Sequence, residues 1–539
     1  MEWPNADLLA ARAATSPNAL AVIDTGDGSD TAPDGDTGAV RLSYADLDAL
    51  VDDLARRLST LGVEPGTRVA TLLDTGLPFV AVVHALDRLG AVLVPLHVRL
   101  TARELGEQCA RVDVETLLSA GRRAEQASAV AGELDTDITI GFVGDDGLDS
   151  ADPQPSDGSE LAGDGSHDPT EVWSHEPADA LPAVSRSPTD RRLVLFTSGT
   201  TGRPKAVPLT TGNLIASAVA SAFRLGVDPD DRWLCALPMY HMGGLAPVLR
   251  STLYGTCVVL QSTFDAAQTP AVARAHEVTG LSLVPTMLGR ILDTGTELPD
   301  SLRFLLLGGG PADHSLIERA DREAIPVYPT YGMTETASQI ATASPAEARS
   351  HEGTVGRPLF GTDVTIVDED DRPVEAETIG EIVVSGPTVT PGYLNDDVTA
   401  RAFGPHGLST GDLGYRDEGG RLWITGRRSD RIVTGGENVD PAEVREVLCA
   451  HSAVDDAAVV GLPDEEWGER VAALVVPGDE PADELRESIL THCRDRLAGY
   501  KRPRTVGFAA TLPRTSSGTV DRERVRDRLG EAARDDSSS

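Results

Sequence analysis

Between Phe196 and Thr210 the sequence reads FTSGTTGRPKAVPLT. Thr197, Ser198, Gly199, Thr200, Thr201 and Gly202 set hydroxyls beside glycines, and Lys205 follows. Glycines let the backbone bend until successive N–H groups converge on an anion, hydroxyls add neutral donors, and lysine adds a mobile positive charge. A polyphosphate is the natural ligand for that set. The stretch is not a Walker A loop, which needs Gly-Lys-Ser/Thr after four spacer residues. Its plain alternative is a flexible polar turn. The lysine argues for the phosphate: the chain holds two lysines, Lys205 and Lys501, among 47 basic residues, so 47 − 2 leaves 45 arginines. Arginine serves where bidentate pairing helps, whereas lysine is a compact charge that can follow a moving phosphate.

Other stretches carry chemistry-bearing residues among glycines. YGMTETASQ, 331–339, supplies Tyr331, Gly332, Thr334, Glu335, Ser338 and Gln339. A carboxylate such as Glu335 is the hard oxygen ligand that Mg²⁺ prefers; otherwise it is a surface acid. STGDLGY, 409–415, contains Asp412, and GRRSDRIVTGGENVDPAEV, 426–444, contains Arg427, Arg428, Ser429, Gly435, Gly436 and Glu437. LGGGP, 307–311, follows an apolar run. Gly308, Gly309 and Gly310, before Pro311, allow close backbone approach to a flat ring and also make a tight turn. His241 lies in PMYHMGG beside Gly243. A lone histidine is more often packed in a core than functional, so its role stays open at this point.

These residues need a scaffold. LVLF before Thr197 reads as a strand, and RVATLL and AVLVPL are short strands alternating with helices, a parallel α/β pattern. LSYADLDALVDDLARRLSTLGV has Leu47, Leu50, Val51, Leu54, Leu58 and Leu61 at helical spacing, with Ser43 and Asp46 as a capping box. LPFVAVVHALDRLGAVLVPL carries His84, Asp87 and Arg88 and reads as a buried helix and a strand, not a membrane span. Short β-type runs between 354 and 384 (DVTIVD, GEIVVSG) predict a small β-rich unit, and Asp440 with Pro441 predicts the start of a helix. From 144 to 180 there are eleven acidic residues and no Lys or Arg. That stretch, taken to 190, reads as a surface insertion or disordered loop.

Composition narrows the function. With 85 acidic residues against 47 basic ones, net charge −38, charge alone draws the chain to neither nucleic acid nor anionic membranes. Arginine in place of lysine within such an acidic chain is the pattern expected of a salt-rich cytoplasm. The five cysteines form no CxxC and read as core residues in a reducing compartment. The N-terminus lacks the basic and apolar regions of a signal peptide. A soluble cytoplasmic protein is expected; its oligomeric state is not legible.

TSGTTGRPKAV resembles the phosphate loop of the acyl-adenylate-forming family, the acyl- and aryl-CoA ligases. YGMTETASQ, STGDLGY and GRRSDRIVTGGENVDPAEV follow in the family's order, covering nearly the whole chain outside the acidic insertion. ALPMYHMGGLAPVLRSTLYGTCVVLQSTFD, LVPTMLGRIL, LLLGGGPA and GTVGRPLFG are most similar to the branch that activates o-succinylbenzoate for menaquinone synthesis. The resemblance implies an acyl-adenylate-forming enzyme fold: a large N-terminal domain of α/β layers with a small β-rich unit, 1–425, a small mobile α+β C-terminal domain, 426–530, and a disordered tail, 531–539. Its co-substrates are ATP and coenzyme A, with Mg²⁺. A carboxylate attacks the ATP α-phosphate and expels pyrophosphate; the thiol of coenzyme A then attacks the acyl adenylate and expels AMP.

Carried over position by position, the resemblance gives Thr197–Lys205 to the β- and γ-phosphates, Thr334 to the α-phosphate and Glu335 to Mg²⁺. Gly309, Gly310, Pro311, Tyr331 and Gly332 flank the nucleotide, Asp412 takes the ribose hydroxyls, and Arg427 reaches ribose or phosphate. His241, Gly243, Gly308, Ser338 and Gln339 line the acyl pocket. Arg250 is the candidate cation for a second substrate carboxylate, or else a helix-surface arginine. Arg428–Ser429 is the hinge, and Gly435, Gly436 and Glu437 line the pantetheine tunnel. One position departs from the pattern. In LPRTSSGTVDR, 512–522, the family's catalytic lysine is Thr519. Arg514 or Arg522 could supply the charge, adenylation could be slow yet sufficient, or the protein could bind ligands without catalysis. Another acyl- or aryl-CoA ligase and a stand-alone adenylation module are the remaining alternatives.

Overall fold

The computed structural model describes residues 7–26, 38–143, 170–184, 186–197, 204–430, 432–434, 437–464, 467–478, 482–497, 499–515 and 519–536. The chain packs as two compact units, 1–363 with 384–408, and 364–383 with 409–539.

The first unit holds two extended sheets. A seven-stranded sheet runs, in spatial order, through Thr170–Glu171, Thr139–Phe142, Thr116–Ser119, Arg68–Leu72, Val92–Pro95, Arg191–Thr197 and Lys205–Thr210. Its pairings are parallel except the last, where Arg191–Thr197 and Lys205–Thr210 form an antiparallel hairpin with Thr197 opposite Lys205. A nine-stranded sheet carries Phe304–Leu307 beside Val327–Met333, with Leu307 opposite Pro329 in parallel register. Strands such as CVVL, FLLL and VLVP are buried along their whole length, which is why they read as unbroken apolar runs rather than alternating ones.

Local signals act where the sequence places them. Ser43 and Asp46 form a reciprocal capping box on helix Tyr44–Thr60, whose buried face is Tyr44, Leu47, Val51, Leu54, Ala55 and Leu58. Leu50 and Leu61 are half-buried at its margin. LPFVAVVHALDRL is a helix, Leu77–Leu89, ended by Gly90 in the left-handed conformation (φ 72°), and Val92–Pro95 follows as a strand. Among the described residues no helix is long and apolar enough to cross a membrane. All five cysteines are free, and four of them are buried.

The second unit contains the β-rich runs and the C-terminal α+β segment. DVTIV and GEIVVS are strands, Asp363–Val367 and Gly380–Ser385. Gly407–Arg416 pairs antiparallel with Leu422–Arg427, which sets Asp412 opposite Arg427. Further on, Val454–Asp464 and Gly468–Pro477 form a long antiparallel pair, joined by Thr505–Phe508 in parallel. Asp440 caps helix Pro441–Cys449 by accepting from the Ala442 N–H at 2.8 Å. The helix start read from Asp440-Pro441 is therefore the observed one.

The acidic stretch is described in part. Residues 144–169 and 185 lie outside the described residues. The remainder is built into the fold, which narrows the insertion expected over 144–190. The Arg57 guanidinium lies 5.6 Å from the Trp173 ring centroid and donates to the Trp173 carbonyl at 2.8 Å. Arg56 donates to the Asp179 carbonyl at 2.7 Å, and Arg186 pairs with Asp87 at 3.0 Å. The acidic composition hid this docking because Arg56 and Arg57, which hold carbonyls of the stretch, sit on a distant helix.

Candidate active site

In the first unit the hairpin of Arg191–Thr197 and Lys205–Thr210 delivers Thr197 and Lys205 at the facing ends of two strands. Ser198, Gly199, Thr200, Thr201 and Gly202, expected to cradle phosphates, lie outside the described residues. The Lys205 ammonium stands 5.1 Å from the ring centroid of Tyr393, a residue the motif reading passed over. The Tyr393 hydroxyl donates to Oε1 of Glu335 at 2.8 Å. Burial, the Glu335 charge and this hydrogen bond all push the Tyr393 hydroxyl's pKa upward, so it stays protonated and acts as a donor. Lys205, Tyr393 and Glu335 thus form one contiguous cluster drawn from three distant segments.

Glu335 sits in a hairpin turn. Val327–Met333 pairs with Ser338–Thr342, and Thr334–Thr336 makes a single 3₁₀ turn between them. The return requires Ala337 at φ 51° and Ser338 at φ 117°, conformations that side-chain-bearing residues rarely adopt. At Gly332 an added Cβ would fall 1.7 Å from the Ser338 carbonyl oxygen, so the close pairing demands glycine. Glu335 is 4% exposed. Among the described residues no cluster of three His, Cys, Asp or Glu could hold a metal by itself. A single buried carboxylate fits an ion whose other ligands are phosphate oxygens and water, the usual mode for Mg²⁺.

Behind that turn lies Arg250. It sits on helix Met242–Tyr254, is 2% exposed, and donates to the Ser217 hydroxyl at 3.2 Å. Ser217 in turn donates to the Ala337 carbonyl at 2.6 Å. The guanidinium also stacks 5.7 Å over Trp233. Burial lowers its pKa, and among the described residues no carboxylate pairs with it. The helix-surface alternative is therefore excluded. Gln339, 2% exposed, donates to the Thr342 hydroxyl at 2.8 Å, while its Oε1 meets no partner among the described residues.

His241 stands at the residue before that same helix without a side-chain cap, partly buried and packed edge-on against Tyr240 (4.8 Å) and His97 (5.6 Å). Desolvation, with the neighbouring His97, pushes its pKa down to about 4, and its Nε2 has no partner among the described residues. It is a neutral imidazole at physiological pH. His97, in PLHVRL, offered no motif by which to find it. Gly243 is exposed, and a Cβ there would touch Leu237 at 3.1 Å. Gly308 passes the Thr330 methyl so closely that a Cβ would lie 2.7 Å from it. Gly309 takes φ 78°, Gly310 faces open space, and Pro311 is exposed. Tyr331 lies on the adjoining strand.

The second unit presents its own cluster. Buried Asp412 accepts from Arg427 Nε at 3.0 Å. Arg428 donates to Oε2 of buried Glu381 at 2.7 Å, and the Gly411 N–H reaches Oε1 of Glu381 at 3.2 Å. Glu381, in GEIVVSG, went unread as a polar anchor. Residues Arg428–Asp430 form a 3₁₀ turn. Gly435 and Gly436 lie outside the described residues, and the backbone of Glu437 starts strand Glu437–Val439. Lys501 donates to both carboxylate oxygens of Glu443 at 2.7 Å. Thr519 is exposed, with its hydroxyl 2.7 Å from that of Thr515. The two arginines considered as substitute cations both carry a carboxylate: Arg514 meets Asp456 at 2.8 Å, and Arg522 meets Asp430.

Comparison with known proteins places this geometry. Residues 9–394 match the AMP-binding enzyme family, and residues 443–519 match the AMP-binding enzyme C-terminal domain. The 2-succinylbenzoate–CoA ligase of Bacillus cereus (strain Q1) is 38% identical over 489 residues, 90% of this chain and 93% of that protein. The o-succinylbenzoate CoA synthetase (MenE) of Bacillus subtilis, in complex with the acyl-adenylate intermediate OSB-AMP, superposes with a TM-score of 0.83 at 32% identity, covering 98% of this chain and 99% of that one. The same enzyme in complex with ATP and magnesium ion gives 0.81 at 33% identity, covering 98% and 100%.

Proposed function

The chain belongs to the AMP-binding enzyme family, and on that premise we propose that it joins o-succinylbenzoate to coenzyme A, consuming ATP and passing through an acyl adenylate, for menaquinone synthesis. The observation that carries the choice of acid is Arg250. A fully buried guanidinium without a carboxylate is costly, and a counter-ion arriving with the ligand repays much of that cost. o-Succinylbenzoate has two carboxylates, one to be activated and one left over to pair. The relatives named for this acid support the same reading.

In the first half-reaction the succinyl carboxylate attacks the α-phosphate and pyrophosphate leaves. Lys205 and the hairpin hold the β- and γ-phosphates, Thr334 the α-phosphate. Glu335 would hold Mg²⁺, which would supply charge neutralisation at the leaving pyrophosphate. Neutral His241, with Gly243, Gly308, Ser338 and Gln339, shapes the acyl pocket without adding charge. Asp412 and Arg427 hold the ribose. In the second half-reaction the thiol attacks the adenylate carbonyl and AMP leaves, after rotation about Arg428–Ser429 brings Gly435, Gly436 and Glu437 to the pantetheine arm.

ATP–pyrophosphate exchange across a panel of aromatic acids tests the proposal. Exchange is expected with o-succinylbenzoate and at least tenfold less with benzoate; equal exchange would remove the choice of acid. Thr519 favours a second reading, a binder without catalysis, for which no acid would support exchange. The net charge of −38 and the replacement of lysine by arginine support work in a salt-rich cytoplasm. Thermal stability should then rise with KCl into the molar range, and a flat response would contradict it.

A further inference from the structure

Segment 390–394 does more than supply a ring. The Thr390 N–H donates to the Glu335 carbonyl at 2.7 Å, and the Thr390 hydroxyl donates to the Pro208 carbonyl at 2.6 Å. The Leu394 N–H donates to the Ala206 carbonyl at 3.2 Å. The segment is therefore stitched to the strand that starts at Lys205 and, on its other side, to the Glu335 turn. Tyr393 itself is fixed by its N–H to Thr399 Oγ1 at 2.9 Å. Its neighbour Gly392, at φ 147°, passes so close to Thr399 that a Cβ would lie 2.6 Å from Cγ2. A tyrosine 8% exposed, rigid at its backbone, presents its hydroxyl to one site carboxylate and its ring face to the site lysine.

We propose that Tyr393 is a positioning residue: its hydroxyl fixes the Glu335 carboxylate for the nucleotide's divalent cation, and its ring seats the Lys205 ammonium between turnovers. A hydroxyl–carboxylate bond of 2.8 Å sets the direction of the acidic side chain without cancelling its charge, so the carboxylate can still ligate an ion. The ring face holds an ammonium weakly enough to release it to a triphosphate. The inference rests on the ligase reading for the identity of the nucleotide.

The test is Tyr393→Phe, which keeps the ring and removes the hydroxyl, read by calorimetric ATP binding with and without Mg²⁺ and no acid present. The Mg²⁺ concentration for half-maximal enhancement of ATP binding should rise about tenfold, the usual scale for losing a group that orients a metal ligand. Mg²⁺-free ATP binding should stay within about twofold, because the lysine seat remains. An unchanged Mg²⁺ dependence, or an equal loss with and without Mg²⁺, overturns the inference while leaving the ligase reading intact. Wild type that binds no Mg²⁺-ATP overturns both. Should the variant not fold, tyrosine labelled at Cζ in wild type decides: one resonance should move when Mg²⁺ joins bound ATP and stay still in Glu335→Gln, and a resonance indifferent to Mg²⁺ in wild type refutes the role.

Discussion

Replacing Thr519 by lysine should restore a charged donor where adenylation needs one. The site accepts the change. Thr519 is exposed, its carbonyl accepts from the Thr515 N–H at 2.7 Å, and the substitution forfeits the contact between the two hydroxyls, about 1 kcal/mol of stability. A preorganised charged donor at a reacting centre is worth on the order of 10²–10³ in rate, about 2.7–4 kcal/mol. Arg514 competes for that role. Its pair with Asp456 is 38% exposed on the arginine side, and Asp456 also holds Arg445 at 2.9 Å. Breaking that exposed pair costs about 1 kcal/mol, a factor of about five, below the gain at stake. Arg522 pairs with a less exposed carboxylate, Asp430, in the 3₁₀ turn Arg428–Asp430, and is the poorer donor. Rapid-quench measurement of adenylate formation should show Thr519→Lys faster by tenfold or more, with thioester formation from supplied adenylate unchanged within about twofold. Arg514→Ala should slow adenylation in the wild-type background and do little in the Thr519→Lys background. If neither change alters the adenylation rate, no cation acts at this position and the reasoning fails.

Arg250→Ala should raise KM for o-succinylbenzoate on the order of 10²-fold, the scale of breaking a buried ion pair, and KM for a monoacid such as benzoate far less; equal effects in steady-state assays would refute the pairing. Lys205→Ala should weaken ATP use strongly and Lys205→Arg should not fully restore it, since a guanidinium cannot settle on the Tyr393 ring and a phosphate in the same way; full activity in the arginine variant would contradict this. His241, with its pKa lowered to about 4 in the fold against about 6.5 unfolded, stays neutral in the native state, so the unfolded chain binds the extra proton between those values. Stability is therefore lost as pH falls from about 6.5 to about 4, and His241→Gln should flatten that part of the melting temperature profile; an unchanged slope would count against the burial argument.

What could be read in the sequence was local. The capping box at Ser43 and the Asp440-Pro441 start are set by residues within one helical turn of their effect. The glycines and hydroxyls of 197–202 and the TE pair at 334–335 could be proposed from the sequence because a phosphate or a cation would constrain residue type at fixed spacing. What was missed depends on distance. Tyr393 reaches Glu335 across 58 residues and sits in PGYLN, where nothing local marks a functional ring. His97 and Glu381 meet neighbours far away in sequence, His241 before a helix and Arg428 in a 3₁₀ turn. Arg250 could be proposed from its spacing after His241, but its burial, which gives it meaning, is a property of the packed helix. The acidic stretch was read as one piece because composition does not record which of its carbonyls are held by Arg56 and Arg57.

The most direct test of the ligase account is product analysis by mass spectrometry after incubation of the purified protein with o-succinylbenzoate, ATP, Mg²⁺ and coenzyme A. The account predicts the o-succinylbenzoyl thioester of coenzyme A and AMP in equal amounts, with pyrophosphate, and no thioester when the acid is withheld. ADP with inorganic phosphate in place of AMP, or ATP and acid recovered intact after prolonged incubation, would contradict it.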